Sequence, residues 1–282
     1  ALWKFYTEDD GDVFWEAPFG RGRPGWHIEC SAMSMKYLGE QFDIHGGGVD
    51  LIFPHHQNEI AQSEGVTGKT FVKYWMHNEW LLVDGKKMSK SLGNFFTLRD
   101  ILEKGYDPLS IRYLYLGTHY RQQLNFTLAG LDAAKQSLNR IWDCYDKLSS
   151  VNATKHNPEV HKRIEQLKKE FTDAMDNDLD TPPALAALFE FVKDVNVMVA
   201  NNSLSAEDGV VLREAFEDVD KVLGILRKKE KPLPKELQNL IDEREKARKA
   251  KDWKKSDELR NKLREKGIIL EDSAQGVRWK RA

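Results

Sequence analysis

The sequence of 282 residues has little cysteine, with Cys30 and Cys144 as its only thiols. Two cysteines cannot form the disulfide framework that stabilises many small secreted domains, and this usage suits a reducing compartment. The sequence also lacks an apolar run long enough to span a bilayer, and it shows no signal-peptide pattern. We therefore expect a cytoplasmic protein with no membrane partner.

The chain lacks an excess of either charge, because 43 Lys and Arg residues face 45 Asp and Glu residues, for a formal net charge of -2. Attraction for nucleic acid must then come from local clusters of basic residues.

The length allows a sizeable core and two or three domains. No initiator methionine is present, and the opening Ala-Leu-Trp-Lys-Phe-Tyr is typical of the middle of a folded domain, so we expect further residues before Ala1.

Lysine is concentrated in residues 84–94, where Lys86, Lys87 and Lys90 lie between Gly85 and Gly93. No hydrophobic period runs through this segment, which predicts an exposed loop. A glycine-hinged loop of lysines suits closure over a polyphosphate. A solvated basic turn would have the same composition.

A second group of residues has the chemistry of metal ligands. Pro54 predicts the first turn of a helix, on which His55 and Glu59, four residues apart, would share one face. Together with Cys30 they supply a thiolate, an imidazole and a carboxylate, all competent zinc ligands. Zinc usually takes four ligands and the sequence shows three, so a helix start with a surface histidine and glutamate explains the same pattern.

Two buried strands are predicted near these residues. Residues 41–45 read as a strand that runs into a turn at residues 46–48, and three successive glycines there would let a ligand approach the backbone closely. Residues 74–83 form an apolar and aromatic run typical of a buried strand. His45, His77 and Trp26 could equally be core side chains with satisfied polar atoms.

The rest of the chain is predicted to be mostly helical. Leu131, Ala134, Leu138, Ile141 and Trp142 recur at helical spacing, and further such runs extend to about residue 227, with Thr181 as a predicted N-cap. Residues 228–234 have the composition of a linker. A charged helical stretch and two short strands, with basic residues and an exposed tryptophan, then suit a reader of single-stranded RNA.

The run Lys87-Met88-Ser89-Lys90-Ser91 resembles the signature loop of class I aminoacyl-tRNA synthetases, and its surroundings resemble the cysteinyl-tRNA synthetase family. The resemblance extends from Trp26 to Trp279 and is weakest at residues 145–235. It implies an α/β Rossmann-type catalytic domain, of which residues 1–125 would be the second half. A helical bundle at 126–228 would follow, then a linker and a small α+β anticodon-binding domain at 229–282.

The resemblance also implies roles for individual residues. Lys87 and Lys90 would be catalytic, and Lys90 would bind ATP together with Gly47, Gly48 and Asp50. The pocket for the amino acid would include Trp26, His45 and His77. Anticodon bases would be read by Arg248, Trp253, Asp257 and Asp272, with the arginine at a base edge and the aspartates accepting from base amino groups.

Zinc is the cofactor that the resemblance implies. Family members hold one zinc with two cysteines, a histidine and a glutamate, and the last three ligands match Cys30, His55 and Glu59. The first cysteine would lie upstream of Ala1, together with the family's ATP-binding His-Ile-Gly-His motif; Trp26-His27-Ile28-Glu29 does not match that motif. The expected partners are the missing amino-terminal half of the catalytic domain, tRNA-Cys, L-cysteine, and ATP with Mg2+ as substrate. We expect the protein to be a monomer.

The expected function is ATP-dependent activation of L-cysteine to cysteinyl adenylate and transfer to the 3′ end of tRNA-Cys. One alternative is a ligase of the same superfamily that joins cysteine to an amino sugar, against which the anticodon-like tail at 248–279 argues. Another is a non-catalytic tRNA-binding fragment, which the missing half of the nucleotide-binding fold leaves open.

Overall fold

The structure, a computed structural model, describes residues 1–227, 233–273 and 276–281, without the side chains of 271–276, 278, 280 and 281. The chain divides into two compact units, residues 1–226 and 227–282. Most of the predicted linker and the side chain of Asp272 lie outside the described residues. The division of the first unit near residue 125 stays a prediction.

The first part of unit one contains short strands and helices. In chain order these are β1 (Trp3–Phe5), β2 (Gly22–Pro24), α1 (Trp26–Leu38), β3 (Phe42–Gly48), α2 (Gln57–Thr67), β4 (Val72–Asn78), β5 (Leu81–Val83), β6 (Lys86–Lys87), α3 (Leu98–Glu103), α4 (Pro108–Leu116) and β7 (Leu124–Phe126). Strands β3 and β4 pair in parallel, as do β5 and β7, whereas β6 pairs antiparallel with β5. Helix α2 supplies the crossover that the parallel pair β3–β4 requires, and it packs against α1.

Strand β3 corrects one prediction, because the glycines at residues 46–48 belong to the strand and not to a turn after it. Gly46, Gly47 and Gly48 pair with Met76, His77 and Asn78 of β4. A Cβ atom on Gly47 would lie 2.9 Å from Leu51 Cδ1 and 3.0 Å from His56 Cε1. Only glycine therefore lets the segment before α2 approach the strand this closely.

Two other boundaries differ from the sequence predictions. The apolar run at residues 74–83 is two strands, β4 and β5, interrupted at Glu79 and Trp80. Helix α2 begins at Gln57, and in the irregular turn Ile52–His56 that precedes it only Phe53 lies outside helical geometry, so the helical path begins at Pro54 as predicted. The lysine segment is also partly ordered as a strand, since Lys86 and Lys87 form β6.

A helical bundle completes unit one, as the hydrophobic spacing predicted. Its helices are α5 (Leu128–Lys147), α6 (Glu159–Asp176), α7 (Thr181–Ala200) and α8 (Ala206–Leu223). Leu138, Leu167, Phe191 and Leu212 are among its fully buried side chains, and Cys144 is buried with them. Thr181 is the first residue of α7 and not its N-cap, because Asp180 occupies that position.

Unit two consists of α9 (Lys235–Lys249), α10 (Trp253–Glu265), β8 (Ile268–Ser273) and β9 (Gly276–Arg281), the two strands pairing antiparallel. Its core contains Leu263, Ile268 and Leu270, with Trp279 partly buried against them, so the exposed tryptophan predicted for this part of the chain is Trp253 and not Trp279. Among the residues described in both units, no helix is long and apolar enough to cross a bilayer.

Candidate active site

Three predicted metal ligands meet between α1 and α2. Cys30 lies on α1, Glu59 on the first turn of α2, and His55 in the irregular turn that precedes α2. The Cys30 sulfur, one His55 nitrogen and one Glu59 oxygen all lie within 4.8 Å of one another. His45, His56 and Glu59 satisfy the same criterion, so Glu59 is common to two candidate donor sets.

Glu59 is the buried centre of this cluster. Its side chain is fully buried, and His55 Nε2 lies 2.6 Å from Oε1, while His45 Nε2 lies 3.5 Å from Oε2. Neither contact has the alignment of a hydrogen bond, so both carboxylate oxygens are buried without a hydrogen-bond donor. A buried carboxylate in that condition is costly unless a cation pairs with it. The donor set of sulfur, imidazole and carboxylate fits zinc.

Burial sets the proton equilibria of the cluster. It raises the pKa of Glu59 to about 7 and lowers the pKa of His56 to about 4. It also lowers the pKa values of His45 and His55 and raises that of the Cys30 thiol, to which the Glu59 charge adds. Burial thus favours the neutral form of each group, and a bound divalent cation would reverse this for Cys30 and Glu59.

Aromatic and imidazole rings surround the cluster. Trp26 packs on His55 with ring centroids 4.3 Å apart while 58% of its surface stays exposed, so it forms the rim. His45 stacks on Trp75 at 4.7 Å. His77 Nε2 lies 2.8 Å from His56 Nδ1, and burial, with the Arg121 charge, lowers the pKa of His77. The three predicted pocket residues therefore all contact this one cluster.

Three further residues belong to the cluster and were not predicted, namely His27, His56 and Trp75. His27 Nδ1 lies 2.8 Å from His55 Nδ1, which places it beside a candidate ligand. Trp75 lies two residues before His77 on β4 and so faces the same side of the sheet. That alternation was visible in the sequence, whereas the contact of His27 with His55 depends on the packing of α1 against α2.

The predicted ATP-binding residues of the glycine segment lie where β3 ends. Asp50 is in the short helical turn Val49–Leu51, and its carboxylate lies so close to Gly48 that a Cβ there would be 2.4 Å from Oδ1. Gly47 and Gly48 are the last residues of β3. The carboxyl end of parallel strands is where ligands bind in open α/β sheets.

The lysine loop adjoins the sheet of β5, β6 and β7. Lys87 and Lys90 are exposed, with Lys87 Nζ 5.9 Å from the centre of the Trp80 ring and Lys90 Nζ 5.5 Å from that of Phe95. Asn94 closes the loop, since its Oδ1 accepts from Ser89 N at 2.9 Å and its Nδ2 donates to the Lys87 oxygen at 3.1 Å. Both predicted catalytic ammonium groups are thus free to reach an anion.

Three of the four predicted anticodon residues lie on the two helices of unit two, and the fourth, Asp272, is part of β8. Arg248 is near the end of α9, and Trp253 opens α10 with 60% of its surface exposed. Asp257 lies one turn further along α10 and helps to line a cavity of about 500 Å³ between α10 and β8. The other polar residues of this cavity are Arg260, Asn261 and Arg264.

Family comparisons divide the chain into three consecutive matches. Residues 1–136 match the model of the tRNA synthetases class I (C) catalytic domain. Residues 170–227 match the DALR domain, and residues 230–279 match the cysteinyl-tRNA ligase anticodon binding domain.

Proteins similar to the whole of this chain are described as cysteine–tRNA ligases. A cysteine–tRNA ligase of Chlamydia muridarum is 47% identical over 292 residues, which are 100% of this chain and 62% of that protein. The corresponding protein of Protochlamydia amoebophila is 46% identical and that of Brachyspira hyodysenteriae 47%, each over 100% of this chain and over 59% and 61% of the relative. The chain therefore spans about three fifths of the length of these relatives.

Solved structures share the fold. The LeuRS of Agrobacterium radiobacter, in a ternary complex with tRNA and LeuAMS, superposes with a TM-score of 0.52 at 16% identity, over 77% of this chain and 35% of that one. A protein of Campylobacter jejuni described as an arginyl-tRNA synthetase gives 0.53 at 14% identity, over 81% and 57%. At these identities the likeness concerns the fold alone.

Proposed function

Because the chain belongs to the cysteinyl-tRNA synthetase family of class I aminoacyl-tRNA synthetases, we propose that it takes part in charging tRNA-Cys with L-cysteine. In the first step the cysteine carboxylate attacks the α-phosphate of ATP, bound with Mg2+, and pyrophosphate leaves. In the second, a hydroxyl at the 3′ end of tRNA-Cys attacks the carbonyl carbon of the cysteinyl adenylate, an ester forms and AMP leaves. Residues 1–125 are the second half of a Rossmann-type catalytic domain in this proposal, 126–228 the helical bundle and 229–282 the linker and anticodon-binding domain.

One observation carries the proposal for the substrate. A thiol, an imidazole and a carboxylate converge around Glu59, whose two oxygens are buried without a hydrogen-bond donor. Cys30, His55 and Glu59 would hold zinc, with a fourth ligand from outside residues 1–282. Zinc, when bound, would supply a metal–sulfur interaction to a substrate thiol that a serine hydroxyl matches poorly. Such a site could reject serine without a second, editing site.

The surrounding residues orient the amino acid and exclude water in this proposal. Trp26 at the rim would cover the bound cysteine, because its ring lies over His55 and remains exposed on the other face. His45 and His77 would form the wall, fixed by stacking on Trp75 and by the contact of His77 with His56. Gly47, Gly48 and Asp50, at the carboxyl end of β3, would bind the adenosine of ATP.

The lysine loop would act on the leaving group. Negative charge builds on pyrophosphate as it departs, and fixed cations at that position lower the barrier. Lys90 would contact the pyrophosphate and Lys87 would assist it. Both ammonium groups are exposed on a loop whose ends are fixed by Gly85, which donates to Asn125, and by Asn94.

The tRNA would be recognised by unit two. Arg248, Trp253 and Asp257 would contact anticodon bases, and the proposal keeps Asp272 in that set. The match of residues 230–279 to an anticodon binding domain disfavours the amino-sugar ligase, for which such a domain has no use. A monomeric state and a cytoplasmic location are further parts of the proposal.

Cysteine-dependent ATP–pyrophosphate exchange tests the activity, with serine as the control substrate. We expect exchange with cysteine and not with serine in the whole protein that carries this chain. The 282-residue chain alone should be inactive, and adding the upstream segment should restore exchange. Exchange by the chain alone would refute the proposed upstream ligand, and no exchange by the whole protein would refute the function.

A further inference from the structure

Asp178, in the turn between α6 and α7, holds residues 119–121, the segment that precedes β7 and is called the held segment below. Asp178 accepts from the Tyr120 hydroxyl at 2.6 Å and from Arg121 Nε at 2.5 Å. His119 Nε2 lies 3.0 Å from the backbone oxygen of Asp178. Asp178 therefore contacts three consecutive residues that lie 57 to 59 positions earlier in the chain.

The backbone of this turn is conformationally unusual. Asp178 and Leu179 have φ values of 58° and 57°, a region that non-glycine residues seldom adopt and that costs roughly 1 kcal/mol or more for each. The carboxylate is about half exposed, so its ion pair with Arg121 contributes little to global stability. Stability alone therefore does not account for this geometry.

The held segment leads directly to the lysine loop. The backbone oxygen of Tyr120 accepts from Glu79 N at 2.8 Å. Next along the chain, Leu124 N donates to the backbone oxygen of Trp80 at 3.1 Å, and β7 there pairs with β5. Asn125 of β7 then accepts from Gly85 N at 2.8 Å through its side chain. Gly85 is the glycine at which the lysine loop begins, so hydrogen bonds connect the helical turn to that hinge.

The same turn also borders the proposed ATP site. A cavity of about 770 Å³ lies between it and the carboxyl ends of β3 and β4. Its lining includes Leu179 and Thr181, His119 and Tyr120 of the held segment, and Gly46 and Gly47 of β3. A shift of the held segment would therefore change both the lysine loop and one wall of this cavity.

We propose that Asp178 is a positioning residue for adenylate formation, because it fixes residues 119–121 and through them the lysine loop. This inference rests on the proposed function for its kinetic consequences. Asp178 is not among the residues that line the cavity, and its effect passes through Tyr120, Arg121 and Asn125. Arg121 holds the pKa of Asp178 below its usual range by hydrogen bonding, with Tyr120 adding to it, so the carboxylate is charged at neutral pH.

Three variants of the whole protein test the proposal. Asp178→Gly removes the carboxylate and relieves the positive φ, so it should not unfold the turn. Asp178→Asn keeps an acceptor for Tyr120 and tolerates the left-handed backbone, but it loses the charge that Arg121 binds. Asp176→Asn makes the same charge change two residues away, at the exposed end of α6.

The kinetic expectation is a fall in kcat with cysteine binding unchanged. Asp178→Gly should lower kcat for cysteine-dependent pyrophosphate exchange on the order of tenfold, because misplacing a catalytic group by a fraction of an ångström has such an effect. The KM for cysteine and the zinc content should not change. Asp178→Asn should recover part of the loss, and Asp176→Asn should match the wild type. An unchanged kcat in Asp178→Gly would overturn the proposal.

Hydrogen exchange supplies a measurement that does not depend on activity. In Asp178→Gly the backbone amides of residues 79–94 and 120–126 should exchange several-fold faster, while those of α2 keep the wild-type rate. Unchanged exchange in the lysine loop would overturn the inference even if kcat falls. If the wild type itself shows no pyrophosphate exchange, the proposed function fails, and the hydrogen-exchange result still decides whether Asp178 controls the loop.

Discussion

At the scale of single residues, Glu59 determines the chemistry of the candidate site. Its two oxygens lie near His55 and His45, one oxygen beside each imidazole, yet neither oxygen receives a hydrogen bond. A carboxylate buried for structural reasons would be expected to accept hydrogen bonds from its neighbours. The unsatisfied oxygens therefore support the proposed cation site at Glu59.

Replacing Glu59 should therefore remove the metal. We expect Glu59→Gln to lower zinc affinity on the order of 100-fold, because an amide is a weak zinc ligand and even outer-shell changes reduce affinity by 10- to 100-fold. The loss of affinity is measured as the zinc content per chain, by mass spectrometry after dialysis against a chelator. Glu29→Gln is the matched control, since Glu29 is exposed beside Cys30 on α1. Full zinc retention in a Cys30→Ala/His55→Ala double variant would contradict the assignment.

Lys90 gives a second prediction at this scale. Lys90→Ala should raise the barrier to adenylate formation by about 3 kcal/mol, or roughly 100-fold in rate, with cysteine binding little changed. Single-turnover adenylate formation measures the rate, and the KM for cysteine measures binding. Lys86→Ala, in the same loop and equally exposed, should keep most of the activity. A normal rate in Lys90→Ala would exclude the loop from the mechanism.

At the scale of elements, the start of α8 shows how a buried charge fixes a helix. Asp208 Oδ2 accepts from the backbone N and the hydroxyl of Ser205, both at 2.9 Å, and from Asn157 N at 3.0 Å. Burial alone would raise the pKa of Asp208. The hydrogen bonds from the amides of Ser205 and Asn157 lower it by more than burial raises it, so the pKa of Asp208 lies below its usual range. One carboxylate thereby joins the N-terminus of α8 to the loop before α6.

This geometry predicts a pH dependence of stability. The folded pKa of Asp208 lies below the unfolded value of about 3.9, so its stabilisation is fully present above that pH and is lost as the pH falls through the folded pKa. Asp208→Asn should cost about 1–3 kcal/mol at neutral pH, and the difference from wild type should shrink in acid. Urea unfolding of both proteins at about pH 6 and about pH 3 measures their difference in free energy of unfolding. An equal difference at the two pH values would contradict the prediction.

The comparison of elements shows what local sequence can and cannot predict. The buried faces of α5 to α8 followed from hydrophobic spacing, because each helix is determined by residues three and four apart. The glycines of β3 were misassigned to a turn, since only pairing with β4, about 30 residues later, makes them a strand. Cys30, His55 and Glu59 were found from ligand chemistry, whereas His27 and His56 depend on how α1, α2 and β4 pack.

At the scale of the whole molecule, the two units have separate cores. Among the described residues, the buried clusters of unit one draw on residues up to 226, and the core of unit two is formed by Leu233, Ile241, Leu263, Ile268 and Leu270. Each unit thus buries apolar surface of its own, which is the basis for independent folding. This organisation separates the proposed catalytic part from the proposed anticodon-binding part.

Removing unit two should therefore affect the two steps of the reaction unequally. A whole protein that ends at residue 227 of this numbering should keep cysteine-dependent pyrophosphate exchange. Its KM for tRNA-Cys should rise on the order of tenfold or more, equivalent to at least about 1.4 kcal/mol of binding. The exchange reaction serves as the internal control, because it needs no tRNA. Unchanged tRNA charging would contradict the role proposed for Arg248, Trp253 and Asp257.

The burial of Cys144 has a practical consequence for following the molecule's motions. Burial raises the pKa of its thiol to about 12, and its side chain is fully shielded between the helices of the bundle. Only the thiolate of an accessible cysteine reacts with alkylating reagents, so Cys144 is labelled only when the bundle opens. In the 282-residue chain with Cys30 replaced, Cys144 is the one remaining thiol, so its labelling rate measures how often the bundle opens.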